Sequence, residues 1–267
     1  MKSKQTVFKV VKGGSGRARL AGALHRLKDE FAASSLKLST EDAAMSFEQI
    51  RFWVEVSSGI LPVIVKIGGP NARNDIKQLM AIKVEGFIAP MVESPFGLQN
   101  FLEALADYTT PIQFEGLDKH INIETMTAME NLEKILDSEH ATSLNEITIG
   151  SHDLSRSMNK PVNHPSVLDS VKRATARIRA RNITASVGGS ITPGRIDTLL
   201  EEVKPQKFNT RIVTFDVHPN RSYRSAVKEA IEFEILLLNN DSRKGFISAD
   251  EERVRIKQLR NRLSLQD

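Results

Sequence analysis

Cysteine is absent from the 267 residues of the sequence. Disulfide bridges, thiolate metal sites and a cysteine nucleophile are therefore excluded. Aromatic residues make up only 6% of the chain, and the 37 Lys and Arg residues barely exceed the 33 Asp and Glu residues. Because no basic block with interleaved aromatic residues occurs, the sequence does not predict a nucleic-acid-binding protein.

Long apolar runs are lacking as well. No N-terminal stretch resembles the apolar core of a signal peptide, and no run approaches the roughly 20 residues of a membrane span. The longest apolar segment near the end, "FEILLL", is broken by a charge and is typical of a buried helix. We therefore expect a cytoplasmic protein that does not contact a membrane.

Short apolar strands alternate with amphipathic helices over most of the chain. The strands are predicted at 5–11, 34–41, 61–67, 86–91, 121–124, 145–150, 183–189 and 207–213, the first of them on the least regular pattern. Their spacing matches the βα unit of a barrel, which fills about 250 residues with eight units. The pattern predicts an α/β protein, a (β/α)₈ TIM barrel with an additional C-terminal helix.

A doubly wound sheet is the competing α/β fold, and it usually carries a glycine-rich turn after its first strand. The one candidate, "KGGSGRARL" at 12–20, lacks both the G-x-G-x-x-G spacing and a Walker Lys-Ser/Thr pair, so we interpret it as a flexible loop. No linker divides the chain. We expect one domain over 1–267, with 241–267 as a charged C-terminal extension.

Polar residues gather where the predicted strands end. In a parallel barrel these positions face the catalytic mouth. Carboxylates and a lysine at one rim need one another or a metal, because burying them unpaired is costly. The residues at these ends are Ser39, Thr40, Glu41, Asp42, Lys66, Glu93, Glu124, Ser151, His152, Asp153, Asn209 and Arg211.

Glu124 and Asp153 are the most informative pair, because they lie one βα unit apart and neighbouring strands would bring both to the same rim. Two carboxylates with water suit a hard cation such as Mg²⁺ or Mn²⁺. Each residue also precedes a predicted helix, where a carboxylate can cap the first turn. The spacing alone leaves capping and metal binding equally open.

Three segments, "GFIAPMVESPFGLQNFLEAL", "INIETMTAMENLEKIL" and "ITIGSHDLSRSM", carry a resemblance. In order and spacing they are similar to signatures of the HpcH/HpaI aldolase/citrate lyase β-subunit family, a group of phosphoenolpyruvate/pyruvate-domain TIM barrels. The resemblance covers roughly residues 34–215. It implies that Glu124 and Asp153 hold Mg²⁺ or Mn²⁺, and that the backbone N–H groups of Ser151 and His152 face the substrate carboxylate.

The activity that the resemblance implies is carbon–carbon cleavage or formation on a 2-keto or 2-hydroxy acid, through a pyruvate-like enolate. It also implies self-association into homo-oligomers. An acyl-CoA lyase of the citrate lyase type is an alternative. A second alternative is a divergent barrel without catalysis that serves as a binding or assembly component.

The sequence departs from the family pattern at two places. Lys66 stands where the family usually has an arginine, which keeps the charge but loses the bidentate fork. We expect Lys66 to contact the keto or enolate oxygen electrostatically and rank a Schiff base lower, because a metal would make it redundant. The segment "LSTED" has Ser39 and Asp42 in place of the Asp and His of the usual D-x-E-H.

These departures leave two roles open. Either Glu41 or Asp42 takes over proton transfer, or the reaction is not the usual aldol cleavage. Glu41 is equally interpretable as a structural ion-pair partner. Arg211, predicted on the last strand, is suited to clamp an anionic substrate or to pair with a rim carboxylate inside the barrel.

Overall fold

A closed barrel of eight strands forms the centre of the computed structural model, which describes residues 16–264. The strands are β1 Ala33–Ser39, β2 Val63–Lys66, β3 Gly86–Ala89, β4 Asp118–Ile123, β5 Glu146–Gly150, β6 Thr184–Gly188, β7 Lys207–Asn209 and β8 Val213–Asp216. The α/β barrel is therefore confirmed. The predicted strand at 5–11 lies outside the described residues.

Helices surround this barrel. They are α1 Gly16–Phe31, α2 Phe47–Ser57, α3 Arg73–Ile82, α4 Pro95–Ala106, α5 Pro111–Gly116, α6 Met126–Glu130, α7 Leu132–Leu136, α8 Ser151–Ser157, α9 Pro165–Ala180, α10 Ile196–Val203, α11 Arg224–Arg243 and α12 Ala249–Ser264, with a 3₁₀ turn at Glu139–Ser143. Residues 16–20 of the predicted loop at 12–20 belong to α1, so that part of the prediction is wrong. Within residues 16–264, no helix has the length and apolarity that crossing a membrane requires.

The barrel closes through a reversed strand. Strands β1 to β7 pair in parallel with their neighbours, whereas β8 is antiparallel to both β7 and β1. The prediction of one strand over 207–213 is therefore wrong. Thr210 turns the chain, because its hydroxyl accepts from the N–H of Val213 at 3.1 Å and donates to the carbonyl of Val213 at 2.9 Å.

Side chains along each strand alternate between the core outside the barrel and the barrel interior. On β1, Leu36 and Leu38 belong to the apolar core between barrel and helices, while Ser35, Lys37 and Ser39 occupy the opposite, inward face. The same alternation recurs on the other strands, and it places mostly polar side chains inside the barrel. That polar interior distinguishes this barrel from the usual filling of branched apolar residues.

The reversed strand also sets the path of the C-terminal helices. Because β8 ends at the amino end of the barrel, α11 starts there and runs back towards the mouth. Near the end of α11, the buried carboxylate of Asp241 accepts from Trp53 Nε1 at 3.0 Å and from Gln49 Nε2 at 2.6 Å, both on α2. Helix α11 continues to Arg243, so the first three residues of the expected extension at 241–267 belong to this helix.

Helix α12 follows and packs on α11, and its buried residues are Ile256 and Leu259. Arg262 donates to the carbonyl of Ile191, in the loop after β6, at 2.8 Å. The additional C-terminal helix therefore lies against the same end of the barrel at which the parallel strands finish.

Candidate active site

Four side chains at the carboxyl ends of the parallel strands form what we call the mouth cluster: Lys66, Glu41, Asp42 and Glu124. Lys66 Nζ lies 2.6 Å from Glu41 Oε2 and 3.2 Å from Asp42 Oδ1. Ser39 fixes the loop that carries both carboxylates, because its Oγ accepts from the backbone N–H groups of Glu41 and Asp42 at 3.1 Å each. The structure thus brings the predicted residues Lys66, Glu41 and Asp42 into one ion-paired group.

Electrostatics hold this group in its charged form. Burial favours the neutral amine of Lys66, but Asp42 and Glu41 outweigh it and raise the pKa of Lys66. Burial likewise favours a neutral Asp42, but Lys66 and the hydrogen bond from Ser39 lower the pKa of Asp42 to about 2. At neutral pH, Asp42 is therefore a stable anion and a weak proton acceptor.

Glu124 directly follows β4 and is buried. Its Oε1 accepts from the backbone N–H of Met91 at 3.0 Å, and its Oε2 accepts from Asn122 Nδ2 at 3.3 Å. The cap of α6 is Thr125, whose hydroxyl accepts from the N–H of Ala128. The structure therefore removes helix capping as the reason for a carboxylate at position 124.

Gly150 makes room for this carboxylate. A Cβ at Gly150 would lie 2.6 Å from Glu124 Oε2 and 2.8 Å from Glu124 Cβ, so any other residue would displace Glu124. Burial raises the pKa of Glu124, Lys66 opposes that rise, and the nearby charge of Asp153 adds to it. A cation beside Glu124 and Asp153 would relieve both the burial and the repulsion.

Asp153 lies in the first turn of α8, directly after β5, and its side chain is about half exposed. The N-cap residue of α8 is Gly150 and not Asp153, whose cationic partner within residues 16–264 is Arg156 Nη1 at 3.9 Å. In the part of the chain that the structure describes, no group of three or more His, Cys, Asp and Glu side chains is arranged to hold a metal. Two carboxylates still fit Mg²⁺, which commonly keeps several water ligands and binds substrate oxygens.

Ser151 and His152 form the start of α8. The hydroxyl of Ser151 is buried and has no hydrogen-bond partner among residues 16–264. His152 is exposed, and its Nδ1 lies 3.2 Å from Ser190 Oγ. Gly189, at φ +83°, lies so close that a Cβ there would come within 2.6 Å of the His152 backbone nitrogen. This end of α8 is thus packed closely against the loop after β6.

Arg211 lies in the turn between β7 and β8 and not within a strand. Its Nη2 donates to the carbonyl of Asp42 at 3.2 Å, and its Nε lies 3.9 Å from both Asp42 Oδ2 and Glu234 Oε1. Of the two roles that the sequence left open, the geometry favours the ion pair. Glu234 on α11 is buried, and the sequence gave no sign of it because it lies in a helix.

A second polar group lies deeper, towards the amino end of the barrel, and we call it the floor cluster: Glu146, Ser186, Lys207 and His120. Glu146 Oε1 accepts from Ser186 Oγ at 2.6 Å, while Glu146 Oε2 lies 3.4 Å from Lys207 Nζ and 4.0 Å from His120 Nδ1. Burial favours a neutral Glu146, but His120 and Lys207 outweigh it and lower the pKa of Glu146. The carboxylate of Glu146 thus has its partners within the floor cluster.

Lys37 is a residue that the sequence analysis missed. It lies on the inward face of β1 between the two clusters, and its charge interacts with those of Lys66, Asp42, Glu124 and Glu146. The signal was present in "SSLKLS", where polar residues alternate with leucine and mark one inward face.

Comparison with known proteins concerns the family and the fold of the chain. A family model described as HpcH/HpaI aldolase/citrate lyase matches residues 48–204. A solved HpcH/HpaI aldolase from Desulfitobacterium hafniense DCB-2 is similar, with a TM-score of 0.58, 17% identity, and coverage of 72% of this chain and 82% of that one. No curated protein matches the sequence.

Two further solved structures share the fold. The citrate synthase SbnG has a TM-score of 0.57 at 15% identity, over 83% of this chain and 98% of that one. An HpcH/HpaI aldolase/citrate lyase family protein from Burkholderia cenocepacia J2315 has a TM-score of 0.55 at 12% identity, over 71% and 91%. Together with the family model, which spans more than half of the residues, they lead to one conclusion: this chain belongs to the HpcH/HpaI aldolase/citrate lyase family.

Proposed function

We propose that this protein is a divalent-metal-dependent carbon–carbon lyase that acts on a 2-keto or 2-hydroxy acid through a pyruvate-like enolate. The observation that carries the proposal is the pairing of Glu124 with Asp153. Glu124 is buried at the mouth of the barrel, serves no helix as a cap, and senses the charge of Asp153 from the neighbouring unit. A buried carboxylate whose pKa is raised, beside a second carboxylate at the mouth of a barrel, is typical of a functional site.

Glu124 and Asp153 would hold Mg²⁺ or Mn²⁺, the cations whose preferred ligands are carboxylate and water oxygens. When bound, such a cation supplies Lewis-acid stabilisation of the substrate oxygen on which negative charge develops. The hydrogen bonds from Met91 and Asn122 to Glu124 fix its carboxylate from the protein side.

Proton transfer is assigned to Glu41. Asp42 keeps a pKa of about 2, which makes it too weak a base near neutral pH. Glu41 Oε2 lies 2.6 Å from Lys66 Nζ and its side chain is more than a third exposed, so a substrate at the mouth can reach it. Asp42 and Lys66 then have the role of keeping Glu41 in place and of adding charge near the enolate.

The other predicted substrate contacts surround this group. The backbone N–H groups of Ser151 and His152 begin α8 beside Asp153, where a substrate carboxylate would meet donors as well as the cation. Arg211 is tied to Asp42 and Glu234, so we assign it to holding the mouth together and to adding positive potential.

Calorimetric titration with Mg²⁺ and Mn²⁺, each with and without oxalate as an enolate mimic, tests the proposal. The parent protein should bind metal, oxalate should tighten that binding, and Glu124→Gln and Asp153→Asn should each abolish it. Asp169→Asn is the matched control, because Asp169 is also an exposed helical carboxylate paired with an arginine.

Metal binding that survives both substitutions would show that the cation lies elsewhere. If the parent binds neither metal nor oxalate, the lyase proposal fails. The second alternative, a barrel that serves in binding or assembly, would then be the one to pursue through partner searches.

A further inference from the structure

Lys37 differs from the other lysines around the barrel interior. Lys66 has Glu41 and Asp42 as partners, and Lys207 lies 3.4 Å from Glu146. The ammonium of Lys37, in contrast, has no hydrogen bond or ion pair with any residue between 16 and 264. Its side chain nevertheless lies in a strand whose flanking leucines are fully enclosed.

The position of Lys37 explains why its ammonium has no ion-pair partner within residues 16–264. It is partly exposed although it faces inward, so there is accessible space next to its side chain. Burial lowers the pKa of Lys37, and the like charge of Lys66 lowers it further. Asp42 and Glu124 partly offset this effect, yet neither comes within ion-pair distance. A mostly buried cation that has no ion-pair partner within residues 16–264 is costly, and an anion that enters beside it would be stabilised.

Lys66 cannot supply this charge to a ligand as readily. Its ammonium has three donor hydrogens, and two carboxylates already lie within 3.2 Å of its Nζ. One donor hydrogen is left for a substrate, and the charge of the ammonium is already offset by the two carboxylates. Lys37 has all three donors available and lies one pair of residues deeper in the barrel, since Lys37 pairs with Ile64 where Ser39 pairs with Lys66.

We propose that Lys37 is the substrate-binding cation of the site, and that its ammonium forms a non-covalent ion pair with the carboxylate or enolate oxygen of a small 2-keto acid. The inference rests on the proposed function and deepens it. Lys66 then holds Glu41 and Asp42 in place, while Lys37 contacts the ligand from the deeper part of the barrel. The ligand class is a small anion with adjacent carboxylate and oxygen donors, of which oxalate is the simplest probe.

The test compares oxalate affinity and Mg²⁺ affinity in Lys37→Met and Lys37→Arg. Loss of a charge-assisted hydrogen bond should weaken oxalate binding roughly tenfold to a hundredfold in Lys37→Met. Lys37→Arg should recover part of it, and Mg²⁺ affinity without oxalate should change less than about threefold in both, a small effect by comparison. Lys172→Met, at an exposed lysine on α9, is the control.

Thermal unfolding of the same variants separates a binding effect from misfolding. Methionine fills the space of the lysine stem without its charge, so Lys37→Met should unfold at the parent's temperature or above it. Oxalate binding that is unchanged in Lys37→Met would overturn the inference even if Mg²⁺ binds as proposed. Oxalate binding that depends on Lys37 in a protein that binds no Mg²⁺ would support it while the metal proposal fails.

Borohydride reduction in the presence of pyruvate distinguishes an ion pair from a covalent bond. If the amine of Lys37 added to the keto carbon and water left, reduction would fix the three-carbon unit on Nζ, where peptide mass analysis would find it. That adduct would overturn the non-covalent role. Its absence, together with weakened oxalate binding in Lys37→Met, is the expected result.

Discussion

The mouth cluster and the floor cluster occupy the same barrel and use the same kinds of side chain, yet they differ in how accessible their carboxylates are to solvent. In the floor cluster, Glu146 is shielded from water, and its partners come from the neighbouring strands β4, β6 and β7. In the mouth cluster, Glu41 and Asp42 retain more than a third of their side-chain exposure. The barrel thus separates a group that supports the fold from one that can accept a ligand.

Glu146 and Glu124 show the difference most clearly. Both are buried glutamates of neighbouring strands, Glu146 at the amino end of β5 and Glu124 just after the carboxyl end of β4. The interactions with His120 and Lys207 lower the pKa of Glu146 against the effect of burial, whereas burial raises the pKa of Glu124. A carboxylate whose charge is satisfied inside the protein stabilises the fold. One whose charge is not satisfied is available to a cation from outside.

The largest expected effect is the loss of Glu146. Glu146→Ala would leave Lys207 and Ser186 without their buried partner, which should lower the free energy of unfolding by about 3–5 kcal/mol. Glu124→Gln keeps the volume and the acceptor for Met91, so it should cost at most about 1 kcal/mol. Urea denaturation of both variants measures the two values. Equal losses would erase the distinction between floor and mouth.

Two glycines provide the next test, one at each end of the barrel. A Cβ at Gly86 would lie 2.5 Å from the backbone oxygen of Asp118, and a Cβ at Gly150 would lie 2.6 Å from Glu124 Oε2. Each alanine substitution should cost about 1–3 kcal/mol of stability through overpacking. Only Gly150→Ala should also weaken Mg²⁺ binding in calorimetry. Loss of Mg²⁺ affinity in Gly86→Ala as well would contradict the separation of the two ends.

A smaller effect is expected from acid titration of the mouth. The folded-state pKa of Asp42, about 2, lies below the ordinary 3.8, so its stabilisation is present above the ordinary pKa and is lost as the pH falls through about 2. Because the side chain is 42% exposed, Asp42→Asn should cost only about 1 kcal/mol near neutral pH.

Glu124 has the opposite sign, since its folded-state pKa is raised. Its ionisation destabilises the fold as the pH rises. The free energy of unfolding of Glu124→Gln, relative to that of the parent, should therefore increase with pH. Urea midpoints of the parent, Asp42→Asn and Glu124→Gln, measured across the acid range, should therefore diverge in opposite directions. Parallel curves for the two variants would show that one of the pKa directions is wrong.

The smallest effect serves as a baseline away from both clusters. Gly22 lies on the exposed side of α1, and a Cβ there would meet no atom within 4 Å. Gly22→Ala should raise the free energy of unfolding by about 0.5–1 kcal/mol through helix propensity. It should leave Mg²⁺ and oxalate affinities unchanged, and a shift in either would show that global stability alone alters the site.

The sequence predicts the parallel part of the barrel well, because alternating apolar residues and glycine-bounded turns are local signals. The antiparallel β8 escapes prediction, since its direction depends on the hydrogen bonds of Thr210 across a turn within one apolar run. The sequence predicts that Glu124, Asp153 and Lys66 lie at the same end of the barrel, because each is at the carboxyl end of a predicted strand. It does not predict the pKa shift of each group, because that shift depends on neighbours from other strands.

Lys37 and Glu234 illustrate the same limit. A lone lysine in a strand and a glutamate in a helix are ordinary in sequence. Only the packing shows that the ammonium of Lys37 has no partner within residues 16–264 and that Glu234 is buried near Arg211. Capping was also undecidable beforehand, because Glu124 and Thr125 are adjacent and both residue types can accept from a helix N-terminus.

The reversed strand β8 has a consequence for how the chain folds. Strand β7 meets β8 across a short turn, so this pair can form early as a local hairpin. Closure of the ring waits for β8 to reach β1, where Ser34 Oγ donates to the carbonyl of Thr214 across 180 residues of sequence. Contacts of such separation carry the largest loop-closure entropy and form late. The seam between the first and last strands should therefore be the slowest part of the barrel to assemble.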